Sequence, residues 1–437
     1  MAPITQSSSL LLELGETILS AVRELNEQLT TLDLPQPSFA PDGPTYVLPK
    51  SAPKKAQDAR LATAEAAFKL FQLVTGPSEL LPNITASYHT MFALQWLHHF
   101  DIWPHIPLKG AVSYQVLALE AKVPESHLKS VARMAMTSNV LTEPRSGHVA
   151  HTANSAMFLK VPNMCDWAGY MFNVSIPTAA AMVSATEKWP GSVDKTETAY
   201  NIAFDHDLPF FDHLSQSPLL TKKFSGYMKS VTDGQSMDLT HLVHGFDWGK
   251  LPNSSLVVDI GGSTGHASFA IAAAHSHLRF EVQDLEAVVQ RKEASQKQPD
   301  GVSDAGCHVS FKAHNFFQPQ PTSGAAVYLL RMIIHDWPDA EAVTILSNLV
   351  PALDATKSTL LIMDTVLPSP GSVPSVRERV MRTRDLTMRQ VFNSRERGLD
   401  DWEALLKATD PRLHLQSVRQ PEGSNMSLLE IGLQDTQ

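Results

Sequence analysis

Leu256-Val-Val-Asp-Ile-Gly-Gly-Ser-Thr-Gly265 is the stretch on which the reading of this chain turns. The near-continuous apolar run from Leu256 to Ile260 has the composition of a strand covered on both faces. Gly261, Gly262 and Gly265 follow at once, and a helical segment, Ala267 to Ala274, begins after them. A strand that passes through glycines into a helix turns tightly and lets a ligand approach the main chain. The next apolar run, Phe280 to Gln283, ends at Asp284, nineteen residues beyond Gly265. An acid in that place can accept both ribose hydroxyl hydrogens of an adenosine-containing cofactor.

Two cofactor classes compete for this turn. A dinucleotide site wants G-x-G-x-x-G, so that a pyrophosphate rests on the helix N-terminus. Here the pattern is G-G-x-x-G, and Asp259 stands two residues before the first glycine. Its carboxylate would repel a pyrophosphate but suits the ammonium of a methionine moiety, directly or through the backbone it orients. S-adenosylmethionine is the better match. A tight turn that binds nothing is the plain alternative, and the surrounding chain has to decide.

Outward from the turn, short apolar runs alternate with helical segments. Val309 to Lys312, Val327 to Arg331 and Leu360 to Met363 read as further strands. Such alternation implies an α/β domain with a mostly parallel, Rossmann-like sheet and helices on both faces. Leu413 to Arg419 and Ser427 to Ile431 are joined by Pro421-Glu-Gly-Ser424, too short for a crossover, so they form an antiparallel hairpin at one edge. Val327–Arg331 leads into Met332-Ile-Ile-His-Asp-Trp-Pro-Asp339. His335 therefore lies just past the carboxyl end of a strand, where open sheets place their ligands. A hydroxyl must lose its proton to attack a sulfonium methyl, and a neutral imidazole does that work near pH 7. One of eighteen histidines falling in a loop is the bland alternative.

The N-terminal half has a different texture. Leu10, Leu14, Ile18, Val22, Leu25 and Leu29 repeat at helical spacing over residues 9–32. A linker from Pro35 to Pro53 holds six prolines in nineteen residues, and no regular element fits there. Helices are expected over Ala56–Val74 and, as a buried apolar one, Ile84–Phe100. Residues 113–158 show a winged-helix rhythm: helices Tyr114–Ala121 and Glu125–Thr137, then short strands Val140–Thr142 and Val149–Thr152 around Pro144-Arg-Ser-Gly147. A DNA reader is expected to carry more cations than Lys129 and Arg133 on the second helix, so a packing or dimerisation module is the better reading. Residues 166–242 are helical. A domain plan follows: 1–55, leading helix and linker; 56–240, helical, winged-helix-like, dimerising and substrate-lining; 241–437, catalytic. A leading helix on a tether suits a homodimer.

Bulk properties narrow the function classes. Thirty-five Lys and Arg against 45 Asp and Glu give a formal charge of −10, which argues against a nucleic-acid partner. Cys165 and Cys307 stand far apart without neighbours at ligand spacing, which excludes a disulfide framework and a cysteine zinc site. No run approaches the ~20 apolar residues of a membrane span, and Met1 to Leu12 lacks the basic start of a secretory signal. A cytoplasmic protein without membrane partners is expected.

Taken together, the motifs Val258-Asp-Ile-Gly-Gly-Ser-Thr-Gly265, Asp284-Leu285, His314-Asn-Phe-Phe317, Arg331-Met-Ile-Ile-His-Asp-Trp337, Leu361-Ile-Met-Asp-Thr-Val-Leu-Pro368 and Arg395-Glu-Arg397 stand in a fixed order. The chain so resembles the S-adenosylmethionine-dependent O-methyltransferases of the plant caffeate and flavonoid type, and more nearly the fungal polyketide-tailoring ones, from Ser113 to the C-terminus. The resemblance implies that His335 is the catalytic base and that Asp364 and Glu396 bracket its imidazole. It implies that Asp284 holds the ribose, that Asn315 and Phe316 meet the adenine, and that Arg331 stands for a lysine near the adenine region. Asp259, Gly261, Gly262 and Gly265 complete the cofactor set. Asn315 departs from the usual Asp, Asp364 is one methylene shorter than the usual Glu, and Ser263 stands where a third glycine is common. The reaction implied is metal-free methylation of a phenol or enol on a small secondary metabolite. The alternative is a protein of the same fold that keeps S-adenosylmethionine for a pericyclic or dehydration step without methyl transfer.

Overall fold

The computed structural model describes residues 9–161, 163–295 and 308–434, so Cys307 lies outside the described residues. Contacts divide the chain into two compact units. One comprises Met1–Val174, Leu219–Ser230 and Pro374–Val376; the other comprises Ser175–Pro218, Val231–Val373 and Arg377–Gln437. Residues 175–218 and 231–240, grouped by sequence with the N-terminal half, cluster with the sheet instead. Aromatic packing is one reason, since Phe210 meets Phe392 edge to face at 5.3 Å and Phe211 meets it tilted at 5.5 Å.

In the first unit, helices Leu10–Thr31 and Lys54–Thr75 pack around Leu29, Leu48 and Ala56. A third helix, Leu80–His99, forms where an apolar one was expected, but it is not buried. Only Ala93 and Leu97 are covered, while Leu81 is 71%, Ile84 51% and Phe92 46% exposed. The helix is apolar on most of its circumference, and the described residues cover one side of it. Helices Tyr114–Ala121 and Glu125–Met136 adjoin a three-stranded antiparallel sheet, in which His148–His151 lies between Val112–Ser113 and Leu141–Arg145. Trp103, Tyr114, Leu117, Leu128, Leu141 and Val149 form its core. Both cations of the second helix are engaged internally: Lys129 lies over the Tyr114 ring, and Arg133 is paired with Glu143 at 2.9 Å.

The second unit is a seven-stranded sheet: β1 Leu256–Ile260, β2 Arg279–Asp284, β3 His308–Ala313, β4 Val327–Arg331, β5 Thr359–Asp364, β6 Leu413–Arg419 and β7 Ser427–Leu433. The spatial order is β3-β2-β1-β4-β5-β7-β6, with β1 to β5 parallel and β7 antiparallel to both its neighbours. The central strands are apolar on both faces because helices cover both. Helices Asp339–Leu349 and Leu399–Thr409 bury Tyr328, Leu330, Leu360 and Ile362 on one side. Helices Thr240–Gly245 and His266–Ala274 bury Val257, Val327, Leu329 and Leu361 on the other. Strand order reverses between β1 and β4, and the crevice beyond their carboxyl ends is where this topology leaves room for a ligand.

Candidate active site

Everything that points to chemistry converges on that crevice, within the second unit. At the end of β1 the chain enters left-handed conformation at Gly261 (φ 70°), Ser263 (φ 52°) and Gly265 (φ 79°). The Gly261 and Gly262 amides donate to the Gln283 carbonyl at 2.8 and 3.1 Å, which pins the turn to β2. A Cβ on Gly261 would lie 2.6 Å from Ile333 Cδ1, and one on Gly262 would lie 2.6 Å from Asp259 Cγ. Glycine is favoured at 261 by its left-handed backbone and at 262 by packing against Asp259 and Val282. Ser263 occupies a conformation that costs a side-chain-bearing residue roughly 1–3 kcal/mol.

Asp284, at the end of β2, faces the turn: Oδ2 accepts from the Ser263 amide at 2.8 Å and Oδ1 from the Leu285 amide at 2.7 Å. Burial is the largest influence on its carboxyl and leaves its pKa raised despite these two bonds. The loop after β3 brings in Asn315, whose Oδ1 accepts from the Phe317 amide at 3.0 Å. Phe316 meets Trp337 edge to face at 5.6 Å, and its ring approaches Gly261. That loop is tied back by a reciprocal amide pair, Gln320 with Gln283, at 2.8 and 2.9 Å. Asp259 is buried under the turn and accepts from Ser268 Oγ at 2.7 Å, burial raising its pKa to about 6. Arg331 donates from Nη2 to the Met237 carbonyl at 2.9 Å, and the opposite charge that acts on it most is Asp259. Its Nε meets no acceptor among the described residues, and burial lowers its pKa to about 10. Its hydrogen bond is thus with Met237, and among the described residues none is with Asn315 or Phe316.

His335 is presented by a strained turn. β4 ends at Arg331, Met332 takes φ 57°, and a single 3-10 turn, Ile334–Asp336, carries the imidazole into the interior, where it is 4% exposed. Its Nδ1 is 3.0 Å from Glu396 Oε1 and 3.7 Å from Asp364 Oδ1, while Nε2 is 3.6 Å from Asp336 Oδ1. The two bracketing acids share one device. Just past Asp364 and Thr365, Val366–Leu367 pairs in parallel with Arg397–Gly398, the residues immediately after Glu396. This two-residue ladder sets both carboxylates in register beside the ring. Glu396 reaches it directly. Asp364 stops 3.7 Å away, and neither of its oxygens finds a hydrogen-bond donor among the described residues.

The electrostatics follow from that geometry. Burial opposes an imidazolium at His335 more than any single influence, yet Glu396, Asp364 and Asp336 together outweigh it and hold the ring up to about 10. Burial pushes Asp364 up to about 7 and Asp336 up to about 6, against the pull of His335. Burial also acts most strongly on Glu396, but there the His335 charge and hydrogen bond win and the carboxyl sits below its usual range. A neutral imidazole near pH 7 is thus not the resting form that this environment favours. Three carboxylates around one buried ring keep the proton on it.

Arg397 is a residue whose role sequence reasoning did not assign. Fully buried, it donates from Nη1 to the Ile334 carbonyl at 3.0 Å and from Nη2 to the Trp337 carbonyl at 2.8 Å, with Asp339 Oδ1 at 2.7 Å. It therefore clamps the backbone on both sides of His335. The signal was its place beside Glu396 in the late motif, but the partner carbonyls carry no side-chain signature. Lys195 was missed as well: its ammonium lies 4.2 Å over the Trp337 ring and 2.7 Å from Glu341.

Comparison with known proteins agrees with this geometry. Residues 191–410 match the O-methyltransferase domain family. O-methyltransferase aurJ of Gibberella zeae is 71% identical over 433 residues, which cover 98% of this chain and 99% of that protein. O-methyltransferase pgmB of Aspergillus terreus is 46% identical over 412 residues, 94% of this chain and 92% of that protein. Among solved structures, OxaC in complex with sinefungin and meleagrin aligns with a TM-score of 0.72 at 21% identity, covering 96% of this chain and 99% of its own. LepI in complex with SAM aligns at 0.71 and 22%, covering 96% and 100%. At such identities the likeness to these two structures is one of fold.

Proposed function

The chain belongs to the O-methyltransferase family, and on that premise we propose that it methylates a phenolic or enolic hydroxyl of a polyketide-derived secondary metabolite from S-adenosylmethionine, with His335 as general base. The observation that carries this reading is the 3.0 Å pairing of His335 Nδ1 with Glu396 at the switch point of the sheet, beside the glycine turn. Nδ1 donates to that carboxylate, which leaves Nε2 as the nitrogen that exchanges a proton with the acceptor hydroxyl.

The cofactor fits the residues present. Side chains are excluded from Gly261 and Gly262 by Ile333 and Asp259, so the main chain of the turn is bare for close approach. Asp284 keeps a second lone pair on each oxygen for the two ribose hydroxyls. Phe316 offers an apolar face to the adenine, and Asn315 a side-chain amide donor. We assign Asp259 and Arg331, acting with Gly265, to the amino-acid end rather than to the adenine, because the charge of Arg331 acts most on Asp259, which lies under the glycine turn. S-adenosylmethionine supplies an electrophilic methyl carbon on a positively charged sulfur. His335 holds the acceptor proton, Glu396 holds the ring, and Arg397 holds the loop. Holding the reacting atoms in line supplies most of the rate, with the base adding about 10²–10⁴-fold.

His335→Ala is expected to bind S-adenosylmethionine normally and to form no methylated product. The assay is mass spectrometry of candidate phenols together with S-adenosylhomocysteine release. Wild-type turnover by this variant would remove His335 from the mechanism. Turnover of a substrate without one S-adenosylhomocysteine per product would instead favour the pericyclic or dehydration reading.

The first unit supports two further assignments. The sheet of Val112–Ser113, Leu141–Arg145 and His148–His151 with its two helices is proposed as a winged-helix-like module that packs rather than reads DNA, since Lys129 and Arg133 are already engaged. Leu81, Ile84, Tyr88 and Phe92 present an apolar helix face to solvent, and we propose that a second copy of the chain covers it. Sedimentation should show a dimer that Leu81→Asp with Ile84→Asp converts to a monomer; an unchanged dimer would move the interface elsewhere.

A further inference from the structure

Three carboxylates surround the imidazole of His335: Asp336 on its own turn, Asp364 from the end of β5 and Glu396 from the segment after helix Ser375–Phe392. Three arginines stand near them. Arg397 is matched by Asp339 and two carbonyls, and the charge of Arg331 acts most on Asp259 and less on Asp364. The charge of Arg384, from helix Ser375–Phe392, reaches Asp336, but its closest ion pair among the described residues is with Glu396, whose Oε1 lies 3.5 Å from its Nε. That is the same oxygen that pairs with His335 Nδ1. The contact is one of charge, since 3.5 Å is too long for a direct hydrogen bond in this geometry. Two further ties fix the arrangement. Arg384 Nη1 lies 2.7 Å from Met237 Sδ, and the adjacent Asp385 accepts from the Glu396 backbone amide at 3.1 Å. The Arg384 side chain is only 18% exposed, so water screens it weakly.

We infer that Arg384 is a positioning residue that sets the proton affinity of the His335 site through Glu396. This rests on the reading of His335 as general base. With the guanidinium in place, part of the charge on Glu396 is offset, and the field of the three acids on the ring and on an acceptor oxygen is moderated. Without it, Asp336, Asp364 and Glu396 act on the imidazole with only the partial offset that Arg331 and Arg397 give at Asp364. The imidazolium is then held more tightly, and an oxyanion beside it is harder to form. An opposite charge within several ångströms shifts a titration by about 1–3 units, and one acting through an intervening carboxylate by about the lower figure.

The test compares Arg384→Met with Arg384→Lys in the full-length protein. In Arg384→Met, the rising limb of kcat/KM against pH, measured with a dihydroxynaphthalene acceptor, should move up by about one pH unit. The rate at pH 8 should fall about tenfold and be recovered by raising the pH. Arg384→Lys keeps the charge and should keep the limb within about 0.3 units. In parallel, carbon-13 histidine spectra, with His335 identified by loss of its signal in His335→Gln, should show the imidazolium persisting in Arg384→Met at the pH where wild type is half titrated. A merely structural role would lower the rate at every pH and leave that titration unmoved. Unchanged limb and unchanged titration in a folded Arg384→Met overturn the inference, as does a lysine variant that behaves like the methionine one. If His335→Gln turns over normally, the general-base reading fails, while the His335 titration still decides the role of Arg384.

Discussion

Replacing Glu396 with glutamine removes the nearest of the three charges that favour the imidazolium, yet leaves an oxygen for Nδ1 to donate to. Glu396 Oε1 lies 3.0 Å from that nitrogen. At an effective dielectric of about 20, a unit charge at that distance is worth roughly 5–6 kcal/mol, or about four pH units. This is comparable to the net elevation of His335 from 6.5 to about 10, to which Asp364 and Asp336 add and from which burial subtracts. Glu396→Gln should therefore return the imidazole to its ordinary range, about 6.5. The reactive arrangement carries one proton on the ring and the negative charge on the acceptor oxygen. A bare oxyanion next to Asp336 and Asp364, without the imidazolium, is disfavoured. Taking the acceptor as a phenol near its ordinary value of about 10, the reactive population in the wild type grows about tenfold per pH unit up to about pH 10. In the variant it stops growing once the ring is neutral, near pH 6.5. The two proteins should differ by only about threefold at pH 7 and by roughly 10²–10³ at pH 9. The assay is kcat/KM between pH 6 and 9.5 from S-adenosylhomocysteine release at saturating cofactor. Parallel profiles separated by a constant factor would show that Glu396 does not set the proton affinity of the ring, and would refute an electrostatic origin for the raised His335 pKa.

Other consequences are open to direct measurement. Gly261→Ala puts a Cβ 2.6 Å from Ile333 Cδ1 on a backbone at φ 70°, so it should lose about 1–3 kcal/mol of stability and bind S-adenosylmethionine at least about tenfold more weakly by calorimetry. Ser263→Gly, by contrast, relieves φ 52° at the cost of unfolded-state freedom and should stay within about 1 kcal/mol of wild type in the same melts. Arg397→Met strips the Ile334 and Trp337 carbonyls of their donors; the melting temperature should fall and kcat should drop roughly 10–100-fold, with cofactor affinity nearly unchanged. A kcat loss matched by an equal loss of cofactor binding would mean that Arg397 supports the whole crevice and not the His335 turn.

What could be read from the chain before folding was local. An unbroken apolar run means a strand covered on both faces, and glycines between it and a helix mean a turn that a ligand can approach. Leu256–Ile260 and Val327–Arg331 form as strands with the bounds their apolar runs suggest, because burial on a parallel sheet writes itself into consecutive residues, while the antiparallel edge strand Leu413–Arg419 is legible from its short link to the next one. The order of motifs also placed His335, Asp284 and the glycine turn at strand ends. Burial from outside the helix, however, has no local signature: the apolar composition of Leu80–His99 reads as buried, and only the packed chain shows Leu81 and Ile84 facing solvent. Charge balance has none either. His335 and Glu396 are 61 residues apart, the clamp from Arg397 ends on backbone carbonyls, and Arg384 comes from a helix whose sequence marks it only as polar. Proton affinity depends on distances of 3–4 Å and on the water excluded between groups, and those exist only once the strands have been laid side by side.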